Sequence, residues 1–229
     1  MRPRFVGRLG LADAVTTLNA ALGFVAVAVA PANVSLAARL VLLAAIADAL
    51  DGIVARHQGG SELGEILDSL ADVASFGVAP ALIVLEATTG TGAGGWPMDR
   101  YLGLAFGAAF LAMAVIRLGL YTAFDTDEAS TEGVQTTLAA TILAASVLAG
   151  VPASAIFWAL PAFAVLMILP IHYPDLRVRD AFLMGAVQAA AIGFPFRWEA
   201  LLPRVLLAWA LGYLVLGPWF YPGPEGKRS

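Results

Sequence analysis

Four aspartates at helical spacing are the residues of this chain best suited to chemistry. Asp48 and Asp51 are three positions apart, and Asp68 and Asp72 are four apart, so each pair shares one face of a helix. Their neighbours are apolar, and a carboxylate in such surroundings is costly unless it is paired or binds a cation. Two such faces turned toward each other make an oxygen cage for hard divalent cations. Gly52 and Gly64, beside the two pairs, leave room for a bulky ligand to approach the backbone. Only Arg56 is close enough in sequence to offset four negative charges, which argues against a purely internal ion-pair network.

The pattern Asp48-x2-Asp51-Gly52-x2-Ala55-Arg56, a short loop and Gly64-x3-Asp68-x3-Asp72 resembles the CDP-alcohol phosphatidyltransferase family at all eight fixed positions. The resemblance implies an all-α membrane enzyme, with a six-helix family core, that moves a phosphatidyl group from a CDP-lipid to an alcohol. It implies that Asp48, Asp51 and Asp68 hold a metal, and that Asp72 completes a second metal position and acts as the general base. Gly52, Ala55 and Gly64 would line the cytidine pocket, Arg56 would pair with a diphosphate oxygen, and Ser61 would contact it too. The cofactor expected is Mg2+ or Mn2+ in a two-metal site. Such residues suit the reaction: the diphosphate and the departing CMP carry negative charge that must be neutralised, and the attacking hydroxyl must give up a proton.

Two further stretches extend the resemblance. Asp13-x2-Thr16-x2-Asn19-x3-Gly23 is similar to the family's first helix, which closes over the nucleotide, so Thr16 and Asn19 are candidate CDP-lipid contacts. For Asn19 a helix-packing amide is the alternative. The run Leu67-Asp68-Ser69-Leu70-Ala71-Asp72-Val73-Ala74-Ser75-Phe76-Gly77-Val78-Ala79-Pro80-Ala81 resembles the phosphatidylserine synthase branch, and its archaeal relatives that make archaetidylserine from CDP-archaeol. The expected reaction is therefore transfer to the hydroxyl of L-serine, with glycerol phosphate or inositol phosphate as alternative acceptors. A second motif of that branch, R-L-A-R-F-N, stands here as Arg117-Leu118-Gly119-Leu120-Tyr121-Thr122. Arg117 is the candidate for the serine carboxylate or a phosphate, against a snorkelling arginine at a helix end.

Composition dictates what must position these residues. Of 229 residues, 60% are hydrophobic and 13% charged, and mean hydropathy is +0.82. A soluble domain carries about 25% charged residues. The chain reads as one polytopic helical membrane domain over residues 1–229. There is no cysteine, and a net charge of -4 gives no basic footprint for nucleic acid. Hydropathy and helix breakers place eight spans near Val15–Ala30, Leu36–Arg56, Leu63–Leu85, Tyr101–Tyr121, Gln135–Gly150, Ser154–Ile171, Asp180–Phe196 and Leu201–Phe220. The fifth to seventh are short. Arg2–Leu11 reads as an interfacial amphipathic helix.

With the N-terminus inside, nine arginines and lysines (Arg2, Arg4, Arg8, Arg56, Arg117, Arg177, Arg179, Lys227, Arg228) fall on the inner side and four (Arg39, Arg100, Arg197, Arg204) on the outer. That asymmetry places the carboxylates toward the cytoplasm, in the cell membrane. The acidic segment Asp125–Glu132 reads as a solvated connection.

Other signals are weaker. Arg2–Arg8 followed by Val15–Ala30 mimics a signal peptide, but Asp13 and Asn19 interrupt it. Gly90-x-Gly92-x2-Gly95 lacks the strand and helix start of a dinucleotide site and reads as an outer loop. Asn33-Val-Ser35 is a glycosylation sequon. Two ungrouped histidines make a histidine metal site improbable. The single lysine, in the tail, excludes a retinal Schiff base. Gly103-x3-Gly107 allows close helix contact inside the protomer or between copies, and a homodimer is expected. A cation transporter also places paired acids in membrane helices, but nearer the midplane and without Gly52, Ala55, Arg56 and Gly64 at these spacings.

Overall fold

The computed structural model describes residues 9–58, 60–89, 98–124, 130–174, 178–193 and 200–220. Most of the expected interfacial helix, the Gly90–Gly95 loop and Asp125–Ala129 lie outside the described residues. Helices dominate: α1 (Leu11–Val29), α2 (Val34–Gln58), α3 (Gly64–Asp72), a π-helical turn (Val73–Val78), α4 (Ala79–Thr89), α5 (Met98–Phe124), α6 (Thr136–Ala149), α7 (Ala153–Leu166), α8 (Val178–Gly193) and α9 (Leu201–Phe220). Because α3, the π turn and α4 form one continuous rod, the eight expected spans correspond to eight helical rods among the described residues.

Among the described residues, four stretches are long and apolar enough to cross a membrane by length and composition: Leu11–Val29, Gly64–Thr89, Met98–Phe124 and Leu201–Trp219. α2 has 25 residues, hence a length of about 37 Å, but carries Arg39, Asp48, Asp51 and Arg56. α6 and α7 have 14 residues each, or about 21 Å, less than the ~30 Å of a hydrocarbon core. The outer surface is apolar, with Phe24, Trp158, Phe182 and Trp219 exposed, as lipid contact requires.

Short turns set the order of packing. α1 and α2 form a hairpin in which Asn33 Oδ1 caps α2 by accepting the Leu36 amide at 2.9 Å. The two helices pack closely and bring small buried side chains to the core, Ala26 and Ala30 from one and Ala37, Ala38, Ala44 and Ala45 from the other. α6 is the central rod: Leu138, Ala139, Ala140, Thr141, Ile142, Leu143, Ala144, Ala145 and Ser146 are all buried, so it is buried all round. It packs against α2, α4, α7, α9 and the π turn. Gln188 of α8 donates to the Leu42 carbonyl of α2 at 2.6 Å, in the buried interior.

Several elements differ from the sequence expectation. The third span is not a uniform α-helix, because the π turn adds a residue to its ladder directly after Asp72. The acidic segment is not wholly a solvated loop: Ser130–Glu132 (β1) pairs antiparallel with His172–Pro174 (β2), matching Thr131 with Tyr173. α7 therefore stops at Leu166 rather than Ile171, and the chain turns through Pro170 into β2. Gly133, at φ +73°, makes the sharp exit from β1 into α6, and a side chain there would collide with the Met167 backbone. The Tyr121 hydroxyl meets the Glu132 amide and also donates to the Glu132 carbonyl at 2.9 Å, fastening α5 to the small sheet.

The far end of the α4–α5 pair is closed by a largely buried ion pair, Arg100 Nη2 to Glu86 Oε1 at 2.8 Å. The Gly103–Gly107 face packs inside the protomer. A Cβ at Gly103 would stand 2.8 Å from Leu85 Cδ1, and one at Gly107 would stand 3.5 Å from Ala81 Cβ.

Candidate active site

The i, i+3 and i, i+4 spacings put Asp48 and Asp51 on one face of α2, and Asp68 and Asp72 on one face of α3. The fold turns the two faces together. Carboxylate oxygens of Asp48, Asp68 and Asp72 all lie within 4.8 Å of one another. Asp72 is buried, and Asp48 and Asp68 are half-buried. Asp68 Oδ1 is buried with no hydrogen-bond partner among the described residues. Three carboxylates this close repel one another strongly in a low-dielectric interior, and a divalent cation is the chemical group that removes the penalty. The donor set, all hard oxygens with one orphaned, fits Mg2+ or Mn2+.

Asp51 stands beside this triplet rather than in it. It is buried and accepts a hydrogen bond from Thr16 Oγ1 of α1 at 2.6 Å. Asn19, one turn further along α1, donates from Nδ2 to Asp72 Oδ1 at 3.2 Å. The two candidate contacts from the first helix thus each meet one carboxylate, one on α2 and one on α3. Thr16 and Asn19 belong to the buried stripe Ala12, Asp13, Thr16, Asn19, Gly23 and Ala26, a helical face turned into the protein.

Asp13 belongs to the same neighbourhood and was not assigned a role from sequence. It is 2% exposed. Its Oδ2 accepts the Gly10 amide at 2.6 Å, and its Oδ1 accepts the Ser61 hydroxyl at 2.9 Å. Asp13 therefore ties the loop before α3 to the start of α1. The signal was available in the Asp13-x2-Thr16-x2-Asn19 spacing, which puts all three on one helix face.

The remaining expected residues lie on α2, α3 and α5. Gly52 and Ala55 are half-buried in the last turns of α2, and Arg56 is exposed there. A Cβ at Gly52 would stand 3.6 Å from Arg56 Nη1, so the guanidinium folds back along the glycine. Gly64 opens α3, and a Cβ there would stand 3.8 Å from both Asp13 Oδ1 and Ser61 Oγ. Arg117 of α5 is buried, with its guanidinium carbon 4.4 Å from the centre of the Tyr121 ring, a cation–π stack. The hydroxyls of Ser69 and Thr122 touch, which brings the end of α5 alongside the carboxylate turn of α3.

Residues 9–192 match the family model of the CDP-alcohol phosphatidyltransferases. The chain belongs to the CDP-alcohol phosphatidyltransferase family. The matched region takes in both carboxylate pairs and all of α1–α7, and α9 lies beyond it. The chain is 31% identical over 172 residues to an archaetidylserine synthase of Methanothermobacter thermautotrophicus, covering 72% of this chain and 70% of that one. It is 35% identical over 119 residues to a CDP-diacylglycerol–serine O-phosphatidyltransferase of Mycobacterium tuberculosis, covering 51% of this chain and 39% of the relative. A protein of that same description from Methanocaldococcus jannaschii is 43% identical over 75 residues, 32% of this chain and 34% of the relative.

Proposed function

We propose that the protein transfers a phosphatidyl or archaetidyl group from CDP-diacylglycerol or CDP-archaeol to the hydroxyl of L-serine, releasing CMP. The observation that carries this reading is the Asp48, Asp68 and Asp72 triplet with its orphaned Asp68 oxygen, inside a family whose reaction needs charge neutralisation at a diphosphate. The serine acceptor is supported by the names of the relatives and by the Leu67–Ala81 run. Asp48, Asp51, Asp68 and Asp72 would hold Mg2+ or Mn2+, in a two-metal arrangement. When bound, the cations neutralise the diphosphate and the departing CMP.

The protein's own groups do the rest. Asp72 takes the proton of the serine hydroxyl as its oxygen attacks the lipid-bearing phosphorus. The bond from that phosphorus to the CMP oxygen breaks, and CMP leaves with the electron pair. Arg56 holds a diphosphate oxygen, with Ser61 beside it, and Gly52, Ala55 and Gly64 leave space for the cytidine. Thr16 flanks the nucleotide from α1, and Asn19 is turned to Asp72 instead. Arg117 receives the serine carboxylate, which a pocket of aspartates would otherwise repel.

Asp51, Asp68 and Asp72 lie toward the α2–α3 connection, with Asp48 one turn further into α2, which favours an enzyme working near the membrane surface over a transporter. The arginine and lysine asymmetry supports a cell-membrane protein with this end toward the cytoplasm. We also propose a homodimer whose interface avoids the Gly103–Gly107 face, already filled by Leu85 and Ala81. The deciding experiment measures CMP release from each CDP-lipid with serine, glycerol phosphate and inositol phosphate in turn. Release with serine alone is expected. Release with either phosphate acceptor and not with serine overturns the acceptor assignment.

A further inference from the structure

We propose that Asn19 is the positioning residue for Asp72: its side-chain amide holds one carboxylate oxygen, so that the other points at the reacting hydroxyl. The inference rests on the reading of Asp72 as the base. Asn19 is fully buried and donates to Asp72 Oδ1 at 3.2 Å. The orientation of the amide follows from chemistry, since its oxygen against a carboxylate would set acceptor against acceptor.

Two features keep Asn19 in place. Ser75, in the π turn, donates from its hydroxyl to the Asn19 carbonyl at 2.7 Å. Gly23, one turn on, has no side chain, so the α1 backbone lies directly on Ser75. The π turn begins at Val73, immediately after Asp72. The widened turn thus brings Ser75 onto the same residue of α1 that holds Asp72. Irregular turns of this kind persist where a local geometry is needed.

A packing role alone does not account for the amide. Asn19 Oδ1 has no hydrogen-bond partner among the described residues, and a buried unsatisfied oxygen is a cost that leucine would not carry. Outer partners that orient a carboxylate typically change activity by roughly ten- to a hundredfold when removed.

The test compares Asn19→Leu, Asn19→Ala and Ser75→Ala in the purified full chain, with CMP release and thermal unfolding read together. Both Asn19 variants should lose roughly ten- to a hundredfold in kcat, with the KM for CDP-lipid and the magnesium requirement changed less than about threefold. Ser75→Ala, which removes the bond to the Asn19 carbonyl but leaves the amide on Asp72, should unfold at a lower temperature and lose clearly less kcat than either Asn19 variant. In an Asp72→Asn background, Asn19→Leu should lower the residual rate no further. Wild-type kcat in either folded Asn19 variant overturns the proposal. So does a raised CDP-lipid KM at unchanged kcat, which would make Asn19 a nucleotide contact, or an equal kcat loss in Ser75→Ala, which would reduce it to packing. If Asp72→Asn itself turns over normally, the base assignment falls and takes the proposal with it. If Asp72→Asn is inactive but Asn19→Leu is not, the proposal alone falls.

Discussion

Gly23 of α1 and Ser75 of the π turn are in backbone contact: a Cβ at position 23 would stand 2.5 Å from Ser75 Oγ and 2.7 Å from Ser75 Cα. The contact fixes how deeply α1 seats against the helix that carries Asp72. Gly23→Ala should therefore push α1 away, because two of the three nearest opposing atoms, Ser75 Cα and N, are backbone and cannot rotate aside. The expected cost is about 1–3 kcal/mol of stability, with reduced turnover, since Asn19 moves with its helix. Thermal unfolding in detergent and CMP release check both parts. An unfolding temperature equal to that of the parent protein would show that α1 tolerates the shift.

Asp68→Asn should abolish CMP release, by at least about a thousandfold, because a metal-held phosphate contributes several kcal/mol to the transition state. The metal-free variant should unfold no earlier than the parent, since one of three crowded carboxylates has lost its charge. Mn2+ binding by calorimetry should weaken in parallel. Chelation of the parent protein should stop the reaction, and added Mg2+ or Mn2+ should restore it. Near-normal turnover in Asp68→Asn would remove the metal-cage reading.

Arg117→Ala should raise the KM for serine by roughly tenfold or more while leaving CDP-lipid affinity within about twofold. The guanidinium is buried and stacked on Tyr121, which the Glu132 backbone in turn anchors, so its position is held from two sides. An unchanged serine KM would eliminate Arg117 as the carboxylate partner.

Glu86→Gln should lower stability by about 2 kcal/mol without changing turnover per folded molecule. The Glu86–Arg100 pair is largely buried, and removing one partner leaves the other charge short of compensation. The pair sits at the end of α4 and the start of α5, whereas the end of α5 meets the carboxylate turn through Ser69 and Thr122. A parallel loss of stability and kcat would show that the two ends are coupled.

The sequence by itself determined the membrane class, the positions of the helices and the faces on which the carboxylates lie. A long continuous apolar run satisfies its own backbone in lipid as a helix, and helical periodicity fixes which residues share a face. Asp48 with Asp51, and Asp68 with Asp72, needed nothing more. What periodicity leaves open is the rotation and depth of one helix against another, which side-chain packing at a distance decides. Only the tertiary structure could therefore join Asp48 to Asp68 and Asp72 and turn Asp51 toward Thr16. The same holds for Asn19 against Asp72, and for the Gly103–Gly107 face, which Leu85 and Ala81 occupy. The π turn and the β1–β2 pair escaped the sequence for a related reason. Three-residue strands carry too few side chains to show a period, and the widened turn after Asp72 is held by Gly23 and Asn19, more than fifty residues earlier in the chain.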